Sequence, residues 1–287
     1  MKNKILLIFG LLLSSLGYAQ STLSAGDIAI IQYNSDGNPE GIKFLALTTI
    51  ESGTVINFTD KGWVTTGTPS FRAGEGIHTW TAGAKVNCGD IVTMSISTSS
   101  WNLATGGDQI LAYQGTTASP TFIFAINNDG AGVWQSSATS SNTSGVPLGL
   151  INGTNAVAIQ EVDNVIYSGS LSGSRATILS NICNKANWNS GTTSTSSNSV
   201  NQTFTGIFNS TATYTTSWDV GPNDYFNAVI DGDYTEVGAI SICNCTVNAT
   251  KTLTVTGTVT VENNITNNGT IQAGQTHTFI FNTFSKY

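Results

Sequence analysis

The sequence predicts an all-β protein: an antiparallel β-sandwich followed by a short, incomplete β-solenoid. Three observations predict it. Short apolar runs rich in aromatic and β-branched residues recur roughly every ten to fifteen residues, bounded by turn formers. No long segment has the spacing of an amphipathic helix. Near the C-terminus the rhythm changes: Val247, Leu253, Val259, Ile265 and Ile271 recur every six residues, with Ala249, Val255 and Val261 two positions after the first three. A fixed hexad with a paired apolar position marks a β-solenoid, in which short strands stack coil upon coil.

The first segment is a leader. Lys2 and Lys4 precede the apolar run Ile5–Leu13, and Gly17-Tyr18-Ala19 supplies small residues for cleavage before Gln20. The run is too short to span a bilayer, and no later stretch approaches the ~20 apolar residues required. Residues 1–19 therefore read as a signal peptide. Its removal leaves 268 residues without Lys2 and Lys4, and the formal charge moves from −7 to −9.

Charged residues make up 9% of the chain against 39% hydrophobic, which excludes the profile of a disordered protein. Ten Lys and Arg stand singly rather than in a patch, which excludes a phosphate-neutralising nucleic-acid surface. Four cysteines in an exported chain imply disulfides. Sequence alone allows three pairings; the expectation leans to Cys88–Cys183, with Cys243 and Cys245 paired locally or buried as small apolar groups. With two histidines and no C-x-x-C, no metal site and no cofactor are expected.

Residues 20–208 divide into strands and one short helix. Asp27–Tyr33 is apolar on both faces, as a central strand should be. Asn34–Glu40 is a turn; its Asn34/Asp36/Asn38 spacing lacks the Gly and Glu positions of a calcium loop. Ile42–Leu47, Thr54–Phe58, Ile77–Thr81 and the alternating Val92/Met94/Ile96 run follow as strands. Gln109–Gln114 and Thr121–Ile126 form a central hairpin around Gly115 and Pro120. A strand pair is expected at Asn155–Glu161 and Asn164–Tyr167. Ser174 then caps a helix to Cys183 that buries Ile178, Leu179 and Ile182. Asn189–Gln202, poor in apolar residues, reads as a long loop.

Residues 209–287 form the solenoid-like segment. Asn263-Asn264 and Asn268-Gly269 are expected at its corners, and the five hexad residues along one interior wall. So few coils cannot bury a stable core, so the segment either docks onto the sandwich or was cut short of further coils.

The runs AGDIAIIQYN, GTVINFTDKGW, EGIHTW, GDQILAYQG, PTFIFAIN and NKANW resemble a β-rich module of exported Bacteroidetes and cyanobacterial proteins, itself distantly similar to lamin-tail domains. The run CNCTVNATKTLTVTGTVTVENNITNNGTI resembles a second module common in the same proteins. Such proteins usually end in a sorting domain for type IX secretion. Here Phe284-Ser285-Lys286-Tyr287 closes the chain without one, which suggests a truncated or variant member. The resemblance implies an exported surface protein and carries no activity.

No catalytic residue is expected. His78 alternates with Trp80 on a strand, His277 lies in the tail, and no nucleophile elbow or phosphate loop is present. Glu75 with Asp60, or Glu161 with Asp163, could be nominated as a glycosidase pair, as in any exported protein. Binding candidates are Asp60, Trp63, Trp101 and Trp134 beside Gly-rich turns, and Asp108, Gln109, Asn128 and Asp129 at the outer ends of the hairpin. Each has a plainer reading, as a core tryptophan or a turn former; Trp80 and Trp188 read as core. The expected function is a secreted or cell-surface structural or adhesive protein contacting glycans or other surface proteins. The alternative is an extracellular carbohydrate-binding module or polysaccharide-active hydrolase.

Overall fold

The computed structural model describes residues 20–36, 39–96, 101–171, 173–188, 211–218, 227–273 and 278–281. The expected leader, the Asn189–Gln202 loop and His277 lie outside them. The protein is all-β, as its patterning predicts. In chain order the first part contains β1 (Ile28–Asn34), β2 (Glu40–Ala46), β3 (Val55–Thr59), β4 (Trp63–Val64), β5 (Ser70–Phe71) and β6 (Ile77–Thr81). It continues with β7 (Ile91–Ile96), β8 (Asp108–Thr116), β9 (Ser119–Asn128), β10 (Ala156–Ala158), β11 (Asn164–Ile166) and α1 (Arg175–Ile182).

These strands form a four-stranded sheet ordered β11-β1-β2-β7, a five-stranded sheet ordered β10-β9-β8-β3-β6, and the small β4-β5 hairpin. All pairs are antiparallel except β10 on β9. The two larger sheets contribute to one core, where Phe44 of β2 meets Phe58 of β3 at 5.6 Å and Trp80 of β6 edge-on at 5.3 Å. Phe44 and Phe58, both fully buried, each stabilise by about 1.5–3 kcal/mol, and Trp80 is partly buried against them. A separate cluster of Trp63, Leu111, Tyr113 and Phe122 brings together β4, β8 and β9. Apolar cover on both faces explains why β8 is buried at six successive positions rather than at alternate ones.

Three expectations change here. The segments at 155–161 and 164–167 do not pair with each other, because β10 joins β9 while β11 joins β1. Trp63 is buried among aromatic rings and is a core residue. Cys183 is a buried free thiol at the end of α1, so the Cys88–Cys183 pairing is overturned. Cys88 pairs instead with Cys243, at an S–S distance of 2.00 Å and a Cα separation of 5.9 Å. Cys245 is the other buried free cysteine. Helix α1 begins as expected, with the Ser174 side chain accepting the Thr177 N–H and with Ile178 and Ile182 buried.

The second part contains β12 (Thr211–Tyr214), β13 (Asn227–Ile230), β14 (Tyr234–Glu236), β15 (Ala239–Val247), β16 (Thr252–Val255), β17 (Thr258–Asn267), β18 (Thr270–Ala273) and β19 (Thr278–Phe281). From β13 on, successive strands alternate between a five-stranded sheet, β12-β13-β15-β17-β19, and a three-stranded sheet, β14-β16-β18. Every pairing in both is parallel. The hexad residues do not share one wall. Val247 and Val259 belong to the larger sheet, whereas Leu253 and Ile271 are register partners in the smaller one. Both sets meet in a single core with Ile265 partly buried. Asn268-Gly269 is a corner as expected, but Asn263 and Asn264 lie within β17.

That placement makes the joint between the two parts. Register runs Ile242↔Val261 and then Asn244↔Asn264, so Cys243 faces two residues, Glu262 and Asn263. A bulge of this kind re-aims side chains. Cys243 enters the core of the first part, while its neighbours Ile242 and Cys245 stay in the core of the second. Glu262 accepts the Thr48 hydroxyl at 2.9 Å, the Thr49 N–H at 2.8 Å, the Ser241 hydroxyl at 2.9 Å and the Arg175 guanidinium at 2.7 Å. Asn263 accepts the Thr49 hydroxyl at 2.7 Å. No described helix is long and apolar enough to cross a membrane.

Candidate functional site

A cavity of about 510 Å³ gathers three acids, Asp60, Glu75 and Asp108, with Trp101, Asn102 and the loop residues Ser141 and Asn142. Four sheet elements position them. Asp60 follows β3, Glu75 precedes β6, Asp108 opens β8, and Trp101 lies between β7 and β8. The rigid strands end and the loops that carry the polar groups begin at this edge of the five-stranded sheet.

Sequence chemistry explains why the loops hold their shape. Three successive backbone N–H groups of the 101–107 loop each meet a different buried carboxylate. Asn102 donates to Asp60 at 3.3 Å, Leu103 to Glu40 at 2.8 Å and Ala104 to Asp108 at 2.9 Å. The second Asp60 oxygen accepts the Gly76 N–H at 2.8 Å, fixing the segment that bears Glu75. The second Asp108 oxygen accepts Gln109 N–H and Nε2 at 2.8 and 2.9 Å. Gln109 Nε2 also donates to the carbonyls of Asp60 and Ser141, knitting the 136–144 loop to the others. Two glycines make the approach close enough. A Cβ on Gly62 would lie 2.1 Å from the Thr143 carbonyl, and Gly107, at φ +103°, passes within contact of Asn128 and Asp129.

Burial acts unequally on the acids. It pushes Asp108 up to about 9, against the pull of the Ala104 and Gln109 N–H groups and with help from Asp60 and Glu75. Glu75 rises to about 7, first through burial and then through the Asp60 charge; the Gly62 N–H, Arg72 and Lys61 pull the other way. Asp60 is raised chiefly by burial. Glu75 Oε2 has no hydrogen-bond partner, and neither has the indole N–H of Trp101, a residue 2% exposed. No Lys or Arg lines the cavity.

Of the residues singled out from sequence, the structure brings Asp60, Trp101 and Asp108 to this cavity, with Gln109 behind them. Asn128 and Asp129 are loop ties: Asn128 exchanges hydrogen bonds with Val162, and Asp129 accepts from Gln135. Trp134 lines a different cavity and donates to Asn152 at 3.2 Å. The sequence does not single out Asn102, Ser141 or Asn142, and it offers Glu75 only as half of a generic carboxylate pair. The signal for them is the Gly-Glu-Gly and Ser/Thr/Asn-rich turns, which sequence cannot assign to a common site.

No protein-family model, curated protein or solved structure matches the chain. The geometry alone bears on function. Two residues of the lining keep a buried atom unpaired, the Trp101 indole N–H and Glu75 Oε2, and the lining offers no cation to an anionic ligand.

Proposed function

We propose that the chain is an exported structural or adhesive protein of the cell exterior, without catalytic activity. In this reading its first part carries the recognition cavity and its stacked parallel strands form a spacer. One observation supports it most: Asp60 and Asp108 commit their oxygens to backbone N–H groups that hold the loops. Acids used in this way shape a site rather than attack a substrate. The basic, apolar and small-residue pattern of residues 1–19 supports export, as does a disulfide, which persists in oxidising compartments. The resemblance to exported Bacteroidetes modules points the same way.

A second reading, a polysaccharide-active hydrolase, is favoured by Glu75. A carboxyl at about 7 that shares a cavity with Asp60 is what a general acid requires. A glycan array on the 20–287 chain, followed by a hydrolysis assay on every glycan retained, separates the two. Retention without release of reducing ends is the expected result. Turnover abolished by Glu75→Gln would replace the non-catalytic reading with the hydrolase, and recovery of the native protein from the cytoplasm would sink export.

A further inference from the structure

We infer that the cavity formed by Asp60, Glu75, Trp101 and Asp108 takes a neutral sugar unit, an uncharged ring with adjacent hydroxyls, rather than a metal ion or an acidic glycan. This rests on the reading of the cavity as the recognition site and specifies what it recognises.

Geometry argues against the simplest rival, a calcium site built on the three carboxylates. Calcium needs oxygens about 2.3–2.6 Å away, so its ligands lie within roughly 5 Å of one another. Among the described residues only Cys88, Cys243 and Glu262 bring three ligand-type groups within 4.8 Å, and their two sulfurs are bonded to each other. Asp60, Glu75 and Asp108 do not converge so closely. They spread around a cavity of about 510 Å³, inside the range of about 300–1,000 Å³ typical of small-molecule sites.

Charge disfavours the second rival. A sulfated or uronic-acid glycan would find no Lys or Arg in the lining to pair its charge.

The unpaired groups specify what remains. Trp101 is 2% exposed, lines the cavity, and has an indole N–H with no partner. A buried donor left unpaired costs about 1–3 kcal/mol, and an oxygen from a ligand relieves it. Glu75 Oε2 is an acceptor without a donor. A cavity whose lining residues hold one unpaired donor and one unpaired acceptor calls for groups that do both. Hydroxyls do, whereas a metal ion donates nothing and the charged group of an acidic glycan cannot donate to Glu75.

The test is a titration of the 20–287 chain with cello-, laminari-, manno- and xylohexaose, and separately with hexagalacturonate and with calcium chloride. Trp101→Phe assigns the Trp101 indole N–H proton resonance by its disappearance. At least one neutral hexaose should move that resonance downfield. Affinity for it should fall about tenfold in Glu75→Gln and in Trp101→Phe, and stay unchanged in Trp134→Phe, whose ring lies in another cavity. Glu75 is only partly buried, so Glu75→Gln remains informative if Trp101→Phe does not fold. Hexagalacturonate or calcium moving the Trp101 signal, with the neutral sugars inert, would overturn the inference and leave the cavity as the recognition site. Neutral-sugar binding that leaves Trp101 and Glu75→Gln unaffected would overturn both, as would silence from the whole panel.

Discussion

Glu75 is the residue on which the site's chemistry turns, since it keeps an oxygen free while its neighbours do not. Its carboxyl carbon should titrate near pH 7 by NMR. Asp60→Asn removes a nearby negative charge and should lower that midpoint, while Lys61 and Arg72, which act in the opposite sense, remain. A midpoint at the usual glutamate value would contradict the site as described. Because a sugar hydroxyl donating to Glu75 favours the ionised form, affinity should rise as pH climbs through 7, and Glu75→Gln should flatten that profile. Trp101 explains why sequence could not decide between core and ligand contact: it is buried like a core residue, yet it lines a cavity with its N–H unpaired.

At the scale of elements, the bulge between β15 and β17 joins the two parts of the molecule. Burial alone would raise the Glu262 carboxyl, but the Arg175 charge and the Thr49, Arg175 and Thr48 hydrogen bonds hold it below its usual value of 4.5. A group depressed in the folded state stabilises fully above the unfolded value, and that contribution is lost as pH falls through the folded one. Glu262→Gln should therefore weaken docking by about 1–3 kcal/mol at neutral pH, and its difference from the native protein should shrink below pH 4.5. Amide hydrogen exchange at Thr49 reports it. Equal protection in both proteins at pH 7 would show that the Glu262 contacts contribute nothing. Gly62→Ala, whose methyl would meet the Thr143 carbonyl, should cost at least about 1–3 kcal/mol by overpacking, read as a lower thermal midpoint. Most strands before residue 170 were legible, though not β4 and β5, because apolar runs and turn formers act locally, and Ser174 announced its helix for the same reason. The hexad gave the apolar spacing but not its division between two walls. Nor could it show that Glu262-Asn263 forms a bulge, because register depends on the neighbouring strand. Glu75 and the 136–144 loop were invisible as site residues because folding alone brings them to Asp60 and Asp108.

Across the whole molecule, antiparallel sheets with a loop-edge cavity are joined to stacked parallel strands through one disulfide and one buried carboxylate. The cysteine pairing was the least legible feature, since Cys88 and Cys243 are 155 residues apart and meet only through docking. Closing so long a loop stabilises by up to about 5 kcal/mol in the chain-entropy account. Cys88→Ser should therefore expose the 211–281 strands to protease before the strands of the first part. Cys183 and Cys245, whose thiols burial pushes up to about 12, should resist alkylation until the chain unfolds. The most direct measurement is peptide mapping, without reduction, of the protein recovered from the culture medium. A single crosslink between the Cys88 and Cys243 peptides is the expected result. A Cys88–Cys183 link, or four free thiols, would contradict the joined architecture and the export proposed for it.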